Sequence, residues 1–77
     1  MKIKEYNYIL IHIFNDLVAV PLFFITKNLA VQEMKKEFDL VKKSVDVSLI
    51  HLCEKTEDNA IIKYGKDNKQ IWKIYKI

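Results

Sequence analysis

The sequence predicts an α+β domain: three helices with a small antiparallel β-sheet, in the order helix-strand-helix-helix-strand-strand. Three observations carry this. Apolar residues recur at helical spacing in three segments, an aromatic and β-branched run follows Pro21, and two β-rich segments near the C-terminus flank Gly65-Lys66-Asp67-Asn68. A chain of 77 residues has room for one domain, spanning 1–77.

Residues 3–18 read as the first helix. Ile3, Tyr6, Leu10, Ile13, Phe14 and Leu17 form one stripe. Tyr8, Ile9, Ile11 and Val18 lie off it. A helix apolar on more than one face needs another neighbour, so these four are expected to form the interface of a homodimer. Pro21 ends the helix and Val20–Ile25 reads as a short buried strand. Asn28 is the expected N-cap of a second helix over 29–38, with Leu29, Val31, Met34 and Phe38 as its apolar positions. Asp39-Leu40 reads as a tight turn, and 41–55 as a third helix with Val41, Val45, Leu49, Leu52 and Cys53 on one stripe. Ala60–Tyr64 and Lys69–Ile77 then make a hairpin over 60–77, and the strand after the first helix is expected to join it as a third strand.

Composition narrows the function. With 51% apolar and 30% charged residues the chain is globular rather than disordered. The lone Cys53 excludes a disulfide framework and a cysteine-rich zinc site. No glycine-rich phosphate loop, nucleophile motif or carboxylate pair is visible, so no catalysis, cofactor or metal is expected. His51 and Cys53, two residues apart on a helix, would not face each other. Cys53 reads as a small core residue, His12 as a partly buried one, and Trp72 as packing the sheet onto the helices. Tyr8–Ile25 is long enough to span a bilayer, but it holds His12, Asn15, Asp16 and Pro21. Asp at mid-span costs about 2.5–3.5 kcal/mol, so neither a membrane span nor a signal peptide is expected, and the protein reads as cytoplasmic.

All thirteen basic residues are Lys, and the net charge is +3. The charge is uneven. Residues 60–77 carry Lys63, Lys66, Lys69, Lys73 and Lys76 against Asp67 alone. A cationic end of that density favours a polyanion.

The element order resembles the winged helix-turn-helix domain. The likeness is clearest from Glu33 to Lys55, where Met34, Phe38, Leu40, Val45, Leu49 and Leu52 coincide with the apolar anchors of prokaryotic winged-helix regulators. Asp39 stands where that family favours a turn glycine, Val41 where a capping Ser is usual, and Val47 where Arg is common. The resemblance implies a helix-turn-helix over 29–55, a wing at 60–77, and a transcriptional regulator or accessory factor bound to double-stranded DNA. The recognition helix would present Lys42, Lys43, Ser44, Val47, Ser48 and His51 to the major groove. Lys63, Lys66, Asn68, Lys69 and Gln70 of the wing would lie on the backbone or minor groove. Without Arg there is no bidentate fork for guanine, so binding is expected to be phosphate-dominated, salt-sensitive and modest in sequence preference. The competing expectation is a winged-helix protein-interaction module, favoured by the apolar Val47 and Ile50.

Overall fold

The computed structural model describes residues 5–77. It holds one long helix on an antiparallel sheet. The elements are β1 (Tyr8–Phe14), β2 (Leu17–Val18), β3 (Leu22–Phe24), α1 (Lys27–Ser44), a 3-10 turn (Val47–Leu49), β4 (Ile50–Lys55), β5 (Asn59–Tyr64) and β6 (Asn68–Lys76). The sheet order is β2-β1-β6-β5-β4, and β3 also pairs with β1. Since β1 pairs with β6 over Tyr8–Phe14, β2 and β3 lie end to end along its other edge. They are interrupted at Pro21, which has no N–H to donate.

The winged helix-turn-helix arrangement of three helices is therefore corrected to one helix over six strands. Each difference has a local cause. The described part of the expected first helix is a β-hairpin. Every position from Tyr8 to Phe14 except His12 is apolar, so a helical stripe and a strand alternation fit equally well. The three Ile at 9, 11 and 13 then favour the pleat. Asn15-Asp16 closes the hairpin with Phe14 opposite Leu17, and Asn15 takes φ 56, a conformation that Asn tolerates well. Ile3, where that helix was expected to start, lies outside the described residues.

The second and third expected helices differ too. Asp39-Leu40 does not break the chain, because no Gly or Pro interrupts good helix formers between Leu29 and Ser44. The helix starts two residues early, capped by Thr26, whose Oγ1 accepts from the Leu29 N–H at 3.3 Å. Lys42 and Lys43 complement the dipole at its end. The expected recognition helix over 41–55 is divided between the last turn of α1, the 3-10 turn and β4. The C-terminal hairpin forms as expected, with Gly65 at φ 63 in its turn and Tyr64 opposite Asn68. It is the centre of the sheet rather than a projecting wing.

The core lies between α1 and one face of the sheet. Ala30, Met34 and Phe38, four residues apart, point down from the helix onto Leu10, Ile74, Trp72, Ala60 and Ile62. Trp72 is fully buried, and its neighbour across the β5–β6 ladder is Ala60, whose small side chain leaves room for the indole. Phe38 meets that ring edge-on at 5.8 Å. Burial of each large aliphatic here contributes about 1.5–3 kcal/mol. Lys27 reaches Asp58 at 2.9 Å and Glu57 at 3.7 Å, tying the start of α1 to the β4–β5 turn. These groups are exposed, so the tie fixes position more than it adds stability. No helix among the described residues is long and apolar enough to cross a membrane.

Candidate functional site

Strand alternation sorts the chemistry onto two faces. Under α1 runs a chain of polar groups. His12 stacks on Trp72 with centroids 4.6 Å apart and planes within 5°. Its Nε2 lies 2.7 Å from Oε1 of Gln70. That oxygen can only accept, so Nε2 carries the proton and donates. The Gln70 amide donates in turn to the Tyr64 hydroxyl at 3.1 Å. Trp72 Nε1 donates to Oε1 of Glu37 at 3.3 Å, and Nδ1 of His12 lies 3.7 Å from the same oxygen. Burial holds the Glu37 carboxyl above its ordinary value, and Glu33 one turn earlier adds to this, while the indole N–H opposes it. This network orients the helix on the sheet.

Among the described residues no helix lies over the other face. By register it carries Ile9, Ile11 and Ile13 from β1, Lys69, Ile71, Lys73 and Tyr75 from β6, Ile61 and Lys63 from β5, and Phe23 from β3. Leu52 and Glu54 of β4 continue it. The isoleucines shield one another and are half-buried, whereas Phe23, Tyr75 and Val18 are exposed at 51, 47 and 62%. Phe23, Ile9 and Tyr75 form one row across three strands, and Tyr6 leans on Phe23 with centroids 6.1 Å apart. Lys63 and Lys69 are direct cross-strand partners. Like charges directly opposite destabilise a sheet. Among the described residues only Lys27 has a carboxylate within 4.0 Å of its ammonium group, so neither lysine of this pair is held in an ion pair.

At the lysine end of the sheet, the β1–β2 and β5–β6 turns enclose an open hollow of about 440 Å³. His51, Lys63, Lys66, Asn68 and Lys69, all expected to bind DNA, line it together with Asn15, Asp16 and Asp67. Asn15 holds the two turns together. Its N–H donates to the Lys69 carbonyl at 2.8 Å and its Oδ1 accepts from the Lys69 N–H at 2.9 Å. His51 sits at the β-bulge of β4, and its Nε2 donates to the Gly65 carbonyl at 2.6 Å.

The other expected site residues are dispersed. Gln70, expected on DNA, is buried and engaged by His12 and Tyr64. Lys42, Lys43 and Ser44 end α1, with Ser44 Oγ donating to the Leu40 carbonyl at 2.7 Å. Val47 and Ser48 lie in the 3-10 turn, where Ser48 donates from N–H and Oγ to Asp46 at 3.0 and 2.9 Å. Those bonds hold the Asp46 carboxyl below its ordinary value. With the recognition helix gone, these five share no helix that could enter a groove. Of the expected dimer residues, Ile9, Ile11 and Val18 face the open side, whereas Tyr8 turns toward the core.

The sequence reading did not single out Phe23, Ile13, Ile61 or Ile71 as surface groups. The alternation Lys69, Ile71, Lys73, Tyr75 was the available signal for β6; the grouping with β1 and β3 required the register. No group of three or more His, Cys, Asp or Glu among the described residues is placed to hold a metal ion. Comparison with known protein families, curated proteins and solved structures finds no match for this chain.

Proposed function

We propose that the protein binds nucleic acid through the open face of its sheet, by phosphate neutralisation with modest sequence preference. The supporting observation is the Lys63–Lys69 pair, two lysines placed directly opposite with no carboxylate within 4.0 Å of either ammonium group among the described residues, and with Lys73 on the same face. Such a pair costs stability in isolation and is relieved by a phosphate between or above it. Lys66 in the adjoining turn extends the positive field. The helix does not read the groove in this account.

The test is a salt titration of oligonucleotide affinity with Lys63, Lys69 and Lys73 all changed to Gln. Each phosphate contact contributes roughly 0.7–0.9 to the slope of log K against log salt, so the triple variant should lose about 2–3 of that slope. An unchanged slope, or no affinity of the wild-type chain even at low salt, would remove the proposal.

A second reading is supported by the stripe of Ile9, Ile11 and Ile13 with Val18, an apolar strip of the kind that mediates contacts between proteins. On that reading the face docks on another protein or on a second copy. Sedimentation at rising concentration distinguishes self-association from a monomer that binds only nucleic acid.

A further inference from the structure

Within the nucleic-acid reading, on which this step rests, we infer that the ligand is single-stranded, with bases stacked on Tyr75 and Phe23 and phosphates led toward Lys73, Lys69 and Lys63. The sheet is too wide for a groove. Five strand positions at roughly 4.8 Å span about 19 Å between outer axes. The major groove is about 12 Å wide and admits a helix or a two-stranded ribbon. A duplex could therefore meet this face only along its backbone.

The aromatic row asks for something a duplex does not offer. Phe23 and Tyr75 flank Ile9 on neighbouring strands, each about half exposed, with Tyr6 packed against Phe23. Exposed rings on an apolar platform gain by stacking on flat π-faces, and bases present those faces only when unpaired. Charge is arranged to match. Lys73 stands two residues from Tyr75 along β6 and Lys69 six, which at roughly 3.3 Å per residue sets the cationic end about 20 Å from the ring. Lys63 stands beside Lys69. One face thus offers stacking at one end and ammonium groups at the other, a combination that suits a splayed strand and gives an acidic protein no use for the rings. The site is short, toward the lower end of the roughly 4–16 nucleotides typical of sheet-based single-strand modules.

The experiment compares fluorescence anisotropy of a labelled single strand of about a dozen nucleotides with a hairpin duplex of the same sequence, using the full chain. Tyr75→Leu and Phe23→Leu keep an apolar side chain at exposed positions, and circular dichroism checks that both variants fold. The single strand should bind at least about tenfold more tightly than the duplex, and each variant should lose roughly tenfold in single-strand affinity. Their salt slope should stay that of wild type, because no charge has changed. A duplex that binds as tightly, or Leu variants with unaltered affinity, overturns the inference; loss of slope in the lysine variant would then leave the broader nucleic-acid reading standing. No binding of either form at low salt overturns both.

Discussion

Replacing Trp72 with Phe tests whether this one side chain seats the helix. The indole is fully buried, stacked on His12, met edge-on by Phe38 and bonded through Nε1 to Glu37. Phe keeps a ring in place but loses apolar volume worth about two buried methylenes, or about 1.6 kcal/mol at 0.8 each. It also deprives Glu37 of a donor. Glu37 is partly exposed and recovers some hydration, so this loss is near the low end of the range, about 1 kcal/mol. The sum is about 2.5–3 kcal/mol. A domain of 77 residues is stable by only about 4–12 kcal/mol at 0.05–0.15 per residue, so the melting temperature should fall by about 10–20 °C. Urea and thermal unfolding followed by far-UV circular dichroism would measure it, since Trp72 is the sole tryptophan and its fluorescence is lost. Adding Glu37→Leu should return about 1 kcal/mol of the coupling, because both polar partners are then gone. A loss below about 1 kcal/mol for Trp72→Phe would refute the placement of the indole between helix and sheet.

Further outcomes follow from the same structure. Burial and Glu33 raise the Glu37 carboxyl, so its protonated form fits the folded state better than its carboxylate. Its stabilising effect is full below the ordinary carboxylate value of 4.5 and is lost as pH rises through the higher folded value. Chemical denaturation across that interval should show Glu37→Gln with a flatter pH profile than wild type, and equal slopes would contradict the cause given. Leu10→Ala, in the core, should cost about 2–5 kcal/mol. Ile11→Thr, one residue away on the open face, should cost under about 1 kcal/mol by urea midpoint; reversal of that order would place the helix on the wrong side of the sheet. Gly65→Ala should lose about 1–2 kcal/mol, since φ 63 is left-handed and the added Cβ would stand 3.1 Å from the Asn68 amide nitrogen.

The part legible in the sequence was the one marked by a turn. Gly65-Lys66-Asp67-Asn68 separates two segments rich in β-branched and aromatic residues, and Asn59–Tyr64 and Asn68–Lys76 form the expected hairpin. Tyr8–Phe14 carried no discrimination between periods, because apolar residues occupied both sets of alternate positions. A strand whose two faces are both apolar looks like a buried helix until its partners are known. The division between α1 and β4 was hidden for a related reason. Val45, Leu49, Leu52 and Cys53 keep helical spacing across it, and the β-branched Val45, Val47 and Ile50 that favour extension are thinly spread. The lysine end of the site was readable from charge asymmetry alone. The ring row was not, since Phe23, Ile9 and Tyr75 lie far apart in sequence and meet only through two strand ladders.

The helix closes one face of the sheet, and the proposed ligand takes the other. Isoleucine methyl NMR resolves the two faces directly. On titration with a single-stranded oligonucleotide, the methyls of Ile9, Ile11, Ile61 and Ile71 should shift, while those of Ile62 and Ile74 beneath the helix should hold their positions. Shifts confined to α1 and the core methyls, with the open-face isoleucines unmoved, would contradict it.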